Sequence, residues 1–220
     1  MSVSTRPMRA DGVRNRQRVL EAAAELLAER GLKVQVEEIA QRAGVGVGTV
    51  CRHFTTKEGL IAAVLESVCE QLLEATRAAL SDPDAGRAFT RFVTTMADFQ
   101  ARHRILAEEM ALTADLPTST REVKVALRQA VAELVERAQN DGTVRSDIGP
   151  ADMAMLFAGI AHAAALAGVD QVLRERYLTI VLDGLRPLES SPLPGHPLSF
   201  QQLDRLRARR RSRLLKQAQS

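Results

Sequence analysis

"AGVGVGTVCRHFTTKEGL", residues 43–60, sets four glycines, a cysteine, a histidine and two spaced cations in one short run. Glycines on both sides of a helix start, followed by small and basic residues, fit a tight turn between two short helices. Gly44 suits the left-handed conformation that turns the chain. Gly46 and Gly48 keep bulky side chains off the first turn of the next helix, so its backbone N–H groups can approach phosphates closely. Ala40 and Ala43 supply small contacts where the helices cross, and Ile39, Val50 and Phe54 lock the motif from inside. Thr49, Arg52 and His53 are left for the outer face. This is the pattern of a helix-turn-helix, whose second helix enters the major groove of DNA.

Outward from this stretch the chain reads as helical throughout. Apolar residues recur at three- and four-residue steps, and no segment sustains the period-two alternation of a strand. Val19, Leu20, Ala23, Leu26 and Leu27 mark a first helix ending at Gly31. Short helices follow at about 36–43 and 47–54, and Lys57 opens a long fourth helix that stops at Ser81-Asp82-Pro83. Phe89, Phe92, Val93, Met96 and Phe99 lie on a fifth, followed by a shorter segment near residues 104–112. Val123, Leu127, Val131, Leu134 and Val135 mark another, closed by "NDG" at 140–142. Pro150 stands near the start of an alanine-rich helix, and a last long helix reaches Arg186-Pro187.

The expected fold is all-α, a three-helix DNA-binding domain followed by a larger helical domain. Residues 1–12 read as a flexible basic arm, 13–59 as the DNA-binding domain and 60–187 as the helical body. Residues 188–220 combine the Pro-rich "LESSPLPGHPLSF" with the basic "DRLRARRRSRLLKQ" and read as a linker and a tail. The arginines of that tail, Arg205, Arg207, Arg209, Arg210, Arg211 and Arg213 with Lys216, suit either nucleic-acid binding or a disordered solubilising segment.

The 220 residues, 45% hydrophobic and 26% charged, are ordinary for a soluble globular protein. No run approaches the roughly 18 apolar residues of a membrane helix, and the start lacks the apolar block of a signal peptide, so a cytoplasmic protein is expected. Net charge is +3 over residues 1–60, −5 over 61–187 and +5 over 188–220. Basic ends around an acidic middle suit a polyanion meeting the termini, although solvated faces give the same tally. Cys51 and Cys69 cannot build a disulfide framework and lack zinc-site spacing. Cys51 and His53, two apart on a helix, point to nearly opposite sides and cannot chelate together. Arg52 beside Cys51 leaves a redox-sensing thiolate as a minority alternative to a small neutral side chain.

"VEEIAQRAGVGVGTVCRHFTTKEGL", residues 36–60, resembles the helix-turn-helix of the TetR/AcrR family of transcriptional repressors over many spaced positions. "VLEAAAELLAERG", residues 19–31, is similar to that family's first helix, and "DGTVRSDIGPADMAMLFAG", residues 141–159, to the approach to its dimer helices. Three positions depart from the family pattern: Cys51 replaces a Tyr whose hydroxyl reaches a phosphate, Gly46 replaces a capping Ser, and Gln35 replaces a capping Thr. Gly is a tolerable cap and Gln a poor one.

The resemblance implies base-edge contacts from Val47 and Gly48 and contacts near the backbone from Thr49, Cys51, Arg52 and His53. It implies a phosphate on Lys57 and on the first amides of the fourth helix. It further implies a homodimer on a palindromic duplex operator, a small-molecule effector held in the body, and no cofactor, metal or membrane. Phe92, Met96, Phe99, His103, Met110, Phe157 and His162 are the candidates to line the effector pocket, and plain core packing explains the same residues. Gly159 and Ala163, one turn apart, with Leu156 and Tyr177, are candidates for the dimer interface. A regulator without ligand remains an alternative. So does a helical enzyme using Asp98, Glu108 or Glu109, although no nucleophile–base spacing supports one.

Overall fold

A computed structural model describes residues 6–103, 117–167, 171–187 and 191–218. Among the described residues it is helical, without strands. The head consists of α1 (Arg6–Arg30), a 3-10 turn (Gly31–Lys33), α2 (Val36–Ala43) and α3 (Val47–His53). α1 begins at Arg6, so the expected flexible arm over 1–12 is helical from that residue on. A local reason is at hand: Asp11 pairs with Arg14 one turn on, and Gln17 donates to Glu21 at 2.9 Å. The inward stripe Val19, Leu20, Ala23, Leu26 and Leu27 is buried, as its spacing predicts.

The body is built on α4 (Lys57–Leu80), α5 (Ala85–Arg102), α6 (Thr118–Asn140), α7 (Pro150–Ala167) and α8 (Gln171–Gly184). α4 starts in the head and ends deep in the body; its 24 residues span about 36 Å. One continuous core runs along it, from Ile39, Val50 and Leu60 to Phe92, Leu134 and Phe157. Burying aromatic and branched side chains of this kind contributes roughly 1.5–3 kcal/mol each. α4 and α6 lie parallel. Ser119 and Thr120 at the start of α6 donate to the Glu66 carboxylate at 2.7 and 3.1 Å, while Arg137 near its end donates to the carbonyls of Leu80, Asp82 and Pro83.

The segment after α8 departs from expectation. Residues 200–218, whose sequence allows a disordered tail, form a helix, α9 (Phe200–Ala218). The chain before it is strapped to the body by two carboxylates: Asp147 accepts from the Leu193 N–H at 2.9 Å and Asp152 from the Leu198 N–H at 3.0 Å. Gly149 permits the crossing, because a Cβ there would lie 2.5 Å from the Leu198 carbonyl oxygen. Ser199 and Gln202 then form a reciprocal capping pair, Ser199 N–H to Gln202 at 2.9 Å and Gln202 N–H to Ser199 at 3.2 Å. Arg128 of α6 clasps Asp204 through two bonds at 2.6 and 2.7 Å and stacks over the Phe200 ring, and Leu203 is buried.

The segment near 104–112, read from the sequence as helical, lies outside the described residues.

Candidate nucleic-acid interface

The turn between α2 and α3 is a Schellman motif. Gly44 has φ 64°, its N–H bonds to the Gln41 carbonyl at 3.1 Å, and the Val45 N–H bonds to that of Ala40 at 3.0 Å. The left-handed φ is what requires the glycine; a Cβ there would also lie 2.6 Å from the flexible end of Arg18, which can move aside. At the other end of α2, Gln35 occupies the cap with its own N–H bonded to the Glu38 carboxylate at 3.0 Å. That bond is half of a capping box and offsets the weakness of Gln as a cap.

α3 is held to the head by Val50, 1% exposed, and by Phe54, whose N–H closes the helix on the Val50 carbonyl at 2.8 Å. The outer face then follows from helical spacing. Val47 is 39% exposed, Gly48, Cys51, Arg52 and His53 are exposed, and Thr49 is half-buried. A Cβ on Gly46 or Gly48 would meet nothing within 4 Å, so the start of α3 is open. Arg52 folds back along the helix, its Nε donating to the Gly48 carbonyl at 3.0 Å and a terminal nitrogen to the Thr49 hydroxyl at 3.3 Å. These bonds hold the guanidinium over the first turn of α3.

Lys57 sits at the start of α4, where Thr56 caps the helix by accepting the Gly59 N–H at 3.0 Å. Its ammonium donates to the Leu32 carbonyl at 2.7 Å, tying the turn after α1 to α4. Two of its three donors are not used by that bond. Among the head's other cations, Arg30 pairs with Glu38, and Arg42 with Glu25 and Glu29. Arg16 and Arg18 on α1 are exposed, and among the described residues neither has a carboxylate partner; Arg16 stacks on Phe54 at 5.6 Å. Motif reading missed these two because they precede the motif. The only signal for them is a cation-rich turn in front of an apolar stripe.

The candidate pocket residues divide. Phe92, Met96, Phe99 and Phe157 are buried together in the core. His103 ends α5 with its ring 5.0 Å from that of Phe99, and its Nδ1 is buried without a hydrogen-bond partner among the described residues. Burial, helped by Arg102, pushes the imidazole pKa down and so favours the neutral form. His162 is exposed on α7, on the face that carries Leu156, Gly159 and Ala163, whereas Phe92, Met96, Phe99 and Phe157 are buried. Met110 lies outside the described residues. Leu156 and Tyr177 are exposed, and apolar Met155, Leu173 and Ile180 are exposed beside them. Cys69 is core, and burial raises its thiol pKa to about 11. Among the described residues no cluster of His, Cys, Asp and Glu is arranged to hold a metal, and no helix is long and apolar enough to cross a membrane.

A helix-turn-helix head on an all-helical body defines a DNA-binding regulator, and comparison with known proteins makes the class specific. Residues 19–64 match the model of the bacterial regulatory proteins of the tetR family, and residues 84–187 that of the C-terminal domain of SbtR-like transcriptional regulators. The chain is 30% identical to the HTH-type transcriptional repressor KstR2 of Rhodococcus jostii over 195 residues, 77% of this chain and 90% of that protein. A TetR transcription regulatory protein from Mycobacterium vanbaalenii superposes with a TM-score of 0.63 at 35% identity, over 82% of this chain and 99% of that one. A TetR regulator from Streptomyces coelicolor gives 0.60 at 30%, over 79% and 99%. The chain belongs to the TetR family of transcriptional regulators. These are non-enzymatic DNA-binding proteins, so the helical-enzyme alternative falls away.

Proposed function

We propose that this protein is a homodimeric repressor that binds a palindromic operator through α3 and releases it when a small molecule occupies the body. The observation that carries the reading is the outer face of α3. It is seated on the core by Val50 and Phe54, opened by Gly46 and Gly48, and topped by an Arg52 guanidinium with no carboxylate partner among the described residues. Val47 and Gly48 meet base edges; Val47, without a hydrogen-bonding group, reads only a thymine methyl or groove shape. Thr49, Cys51, Arg52 and His53 lie near the backbone, and Lys57, Arg16 and Arg18 take phosphates.

The dimer reading rests on the apolar face of α7 and α8, where Leu156 and Tyr177 stand exposed beside the small Gly159 and Ala163. Faces of this kind mark association sites. The effector reading rests on the Phe92, Met96, Phe99 and Phe157 cluster beside the His103 nitrogen, which has no partner among the described residues. Coupling needs a ligand that favours one head separation over another. α4 suits that task, since it carries core residues of the body and, at Lys57, the edge of the DNA-facing surface.

The test is fluorescence anisotropy on labelled duplex across a salt series. Lys57→Ala weakens binding to all duplexes alike and removes about 1 per subunit from the slope of log affinity against log salt. Arg52→Ala behaves the same way if its guanidinium takes a phosphate. If it reads a guanine, it costs ~1–3 kcal/mol on the operator and relaxes preference at one symmetric pair of positions. Thermal melts accompany both, because Lys57 also holds Leu32. Two folded variants with unchanged affinity and slope would overturn the assignment.

A further inference from the structure

The arginine-rich C-terminal helix lies outside both matched family models, the second of which ends at residue 187. It is nevertheless built into the fold. Phe200, Leu203, Asp204 and Arg207 form the face turned to the body, buried or half-buried, and Arg205, Arg209, Arg210 and Arg213 are exposed. Arg205, Arg209 and Arg213 follow one another at four-residue steps and make one stripe along the helix.

The direction of α9 is fixed at two points. Leu198 is bonded to Asp152 at the end of the body remote from the head, and Asp204 is clasped by Arg128 midway along α6. The start of α6 is bonded to Glu66, about 14 Å along α4 from Lys57. α9 therefore runs antiparallel to α6 and carries its arginines back toward the head. Arg213 lies about 9 Å beyond Arg207 along its axis.

The stripe is also unneutralised. Several exposed arginines elsewhere have carboxylates, as in Arg87 with Asp82, Arg42 with Glu29 and Arg186 with Asp183. None of the four outer arginines of α9 has one among the described residues, and from residue 205 to residue 220 the sequence contains no Asp or Glu. A helix C-terminus attracts cations in its last turn, which does not account for a stripe that begins in the second turn. Like charges one turn apart repel and weaken the helix, so the arrangement suits a helix that meets an external polyanion. A membrane surface would need an apolar face beside the cations; the described outer residues offer Leu206 alone, 53% exposed.

We propose that the outer face of α9 is a second, sequence-independent DNA-binding surface that grips duplex phosphates alongside the operator while α3 reads bases. This rests on the DNA-binding reading of the head but fails separately from it. The test uses the full chain with Arg205, Arg209, Arg210 and Arg213 all changed to Gln, and a second variant with all four changed to Lys. A labelled random-sequence duplex is titrated across a salt series, with circular dichroism and thermal melting to establish folding. The Gln variant is expected to bind at least tenfold more weakly at low salt, with a slope reduced by about 2–4 per subunit, while the Lys variant stays within about threefold of the parent. Unchanged affinity and slope in a folded Gln variant, alongside a clear loss in Lys57→Ala, would overturn the role of α9 and leave the head reading intact. Losses from the Gln variant alone, with Lys57→Ala and Arg52→Ala silent, would keep α9 and overturn the head. Charge-dependent binding to polyglutamate or to anionic phosphatidylserine vesicles, with duplex binding unaltered, would replace DNA by an acidic protein or a lipid surface.

Discussion

At the scale of single residues, two glycines four positions apart in the motif do opposite things. Gly44 holds φ 64°, whereas Gly48 is ordinary helix with open space around it. Gly44→Ala is therefore expected to cost ~1–2 kcal/mol for the left-handed conformation alone, lowering Tm by several degrees. Gly48→Ala should raise Tm slightly, since Ala is the better helix former, yet weaken DNA binding by placing a methyl on the face proposed to meet bases. Calorimetry with a parallel binding titration checks both; equal Tm losses in the two variants would mean that the turn is not built as described. The sequence made Gly44 legible through its place between two short apolar periods. It could not reveal that Lys57, expected on a phosphate, also bonds to Leu32, because a contact between residues so far apart in the chain leaves no local pattern.

At the scale of elements, the corner between α4 and α5 shows how charge fixes a junction. Asp82 accepts two bonds from Arg87 at 2.7 Å and one from the Asp84 N–H at 3.0 Å, while Asp84 caps α5. The Arg87 bonds first, and then the Asp84 N–H, hold the Asp82 carboxyl at about 2, below its ordinary 3.8. A pKa depressed in the folded state gives stability that is present above about 4 and is lost as pH falls toward about 2. Asp82→Asn should flatten the acid limb of the stability curve in that window and leave neutral-pH behaviour of the head unchanged. Melting temperatures recorded down the acid range decide it, and an undiminished slope in the variant would contradict the assignment. Asp147, depressed further by Arg145, keeps a residual acid dependence in either protein. The helices of the body were readable from apolar spacing and from Pro and Gly punctuation. α9 was not, because "SSPLPGHP" and an arginine run look locally like linker and tail; Asp147, Asp152 and Arg128, which capture it, are remote in sequence.

At the scale of the whole molecule, the chain places the helix-turn-helix, an apolar α7–α8 face and a basic α9 around one core. The motif made the helix-turn-helix legible, small residues hinted at the second, and the third needed the fold. If α7 and α8 pair two copies, the two α3 helices must read inverted half-sites about one helical turn apart or a multiple of it. Gly159→Arg tests this at an exposed position where a Cβ meets nothing within 4 Å, and it should yield a folded monomer by light scattering. The most direct measurement is selection of bound sequences from a random duplex pool, run on the parent chain and on Gly159→Arg. The parent is expected to enrich an inverted repeat and the variant to lose that enrichment while staying folded. Enrichment of an unrepeated single site by the parent, of the same inverted repeat by a monomeric variant, or of no sequence at all would contradict a dimer that reads its operator through α3.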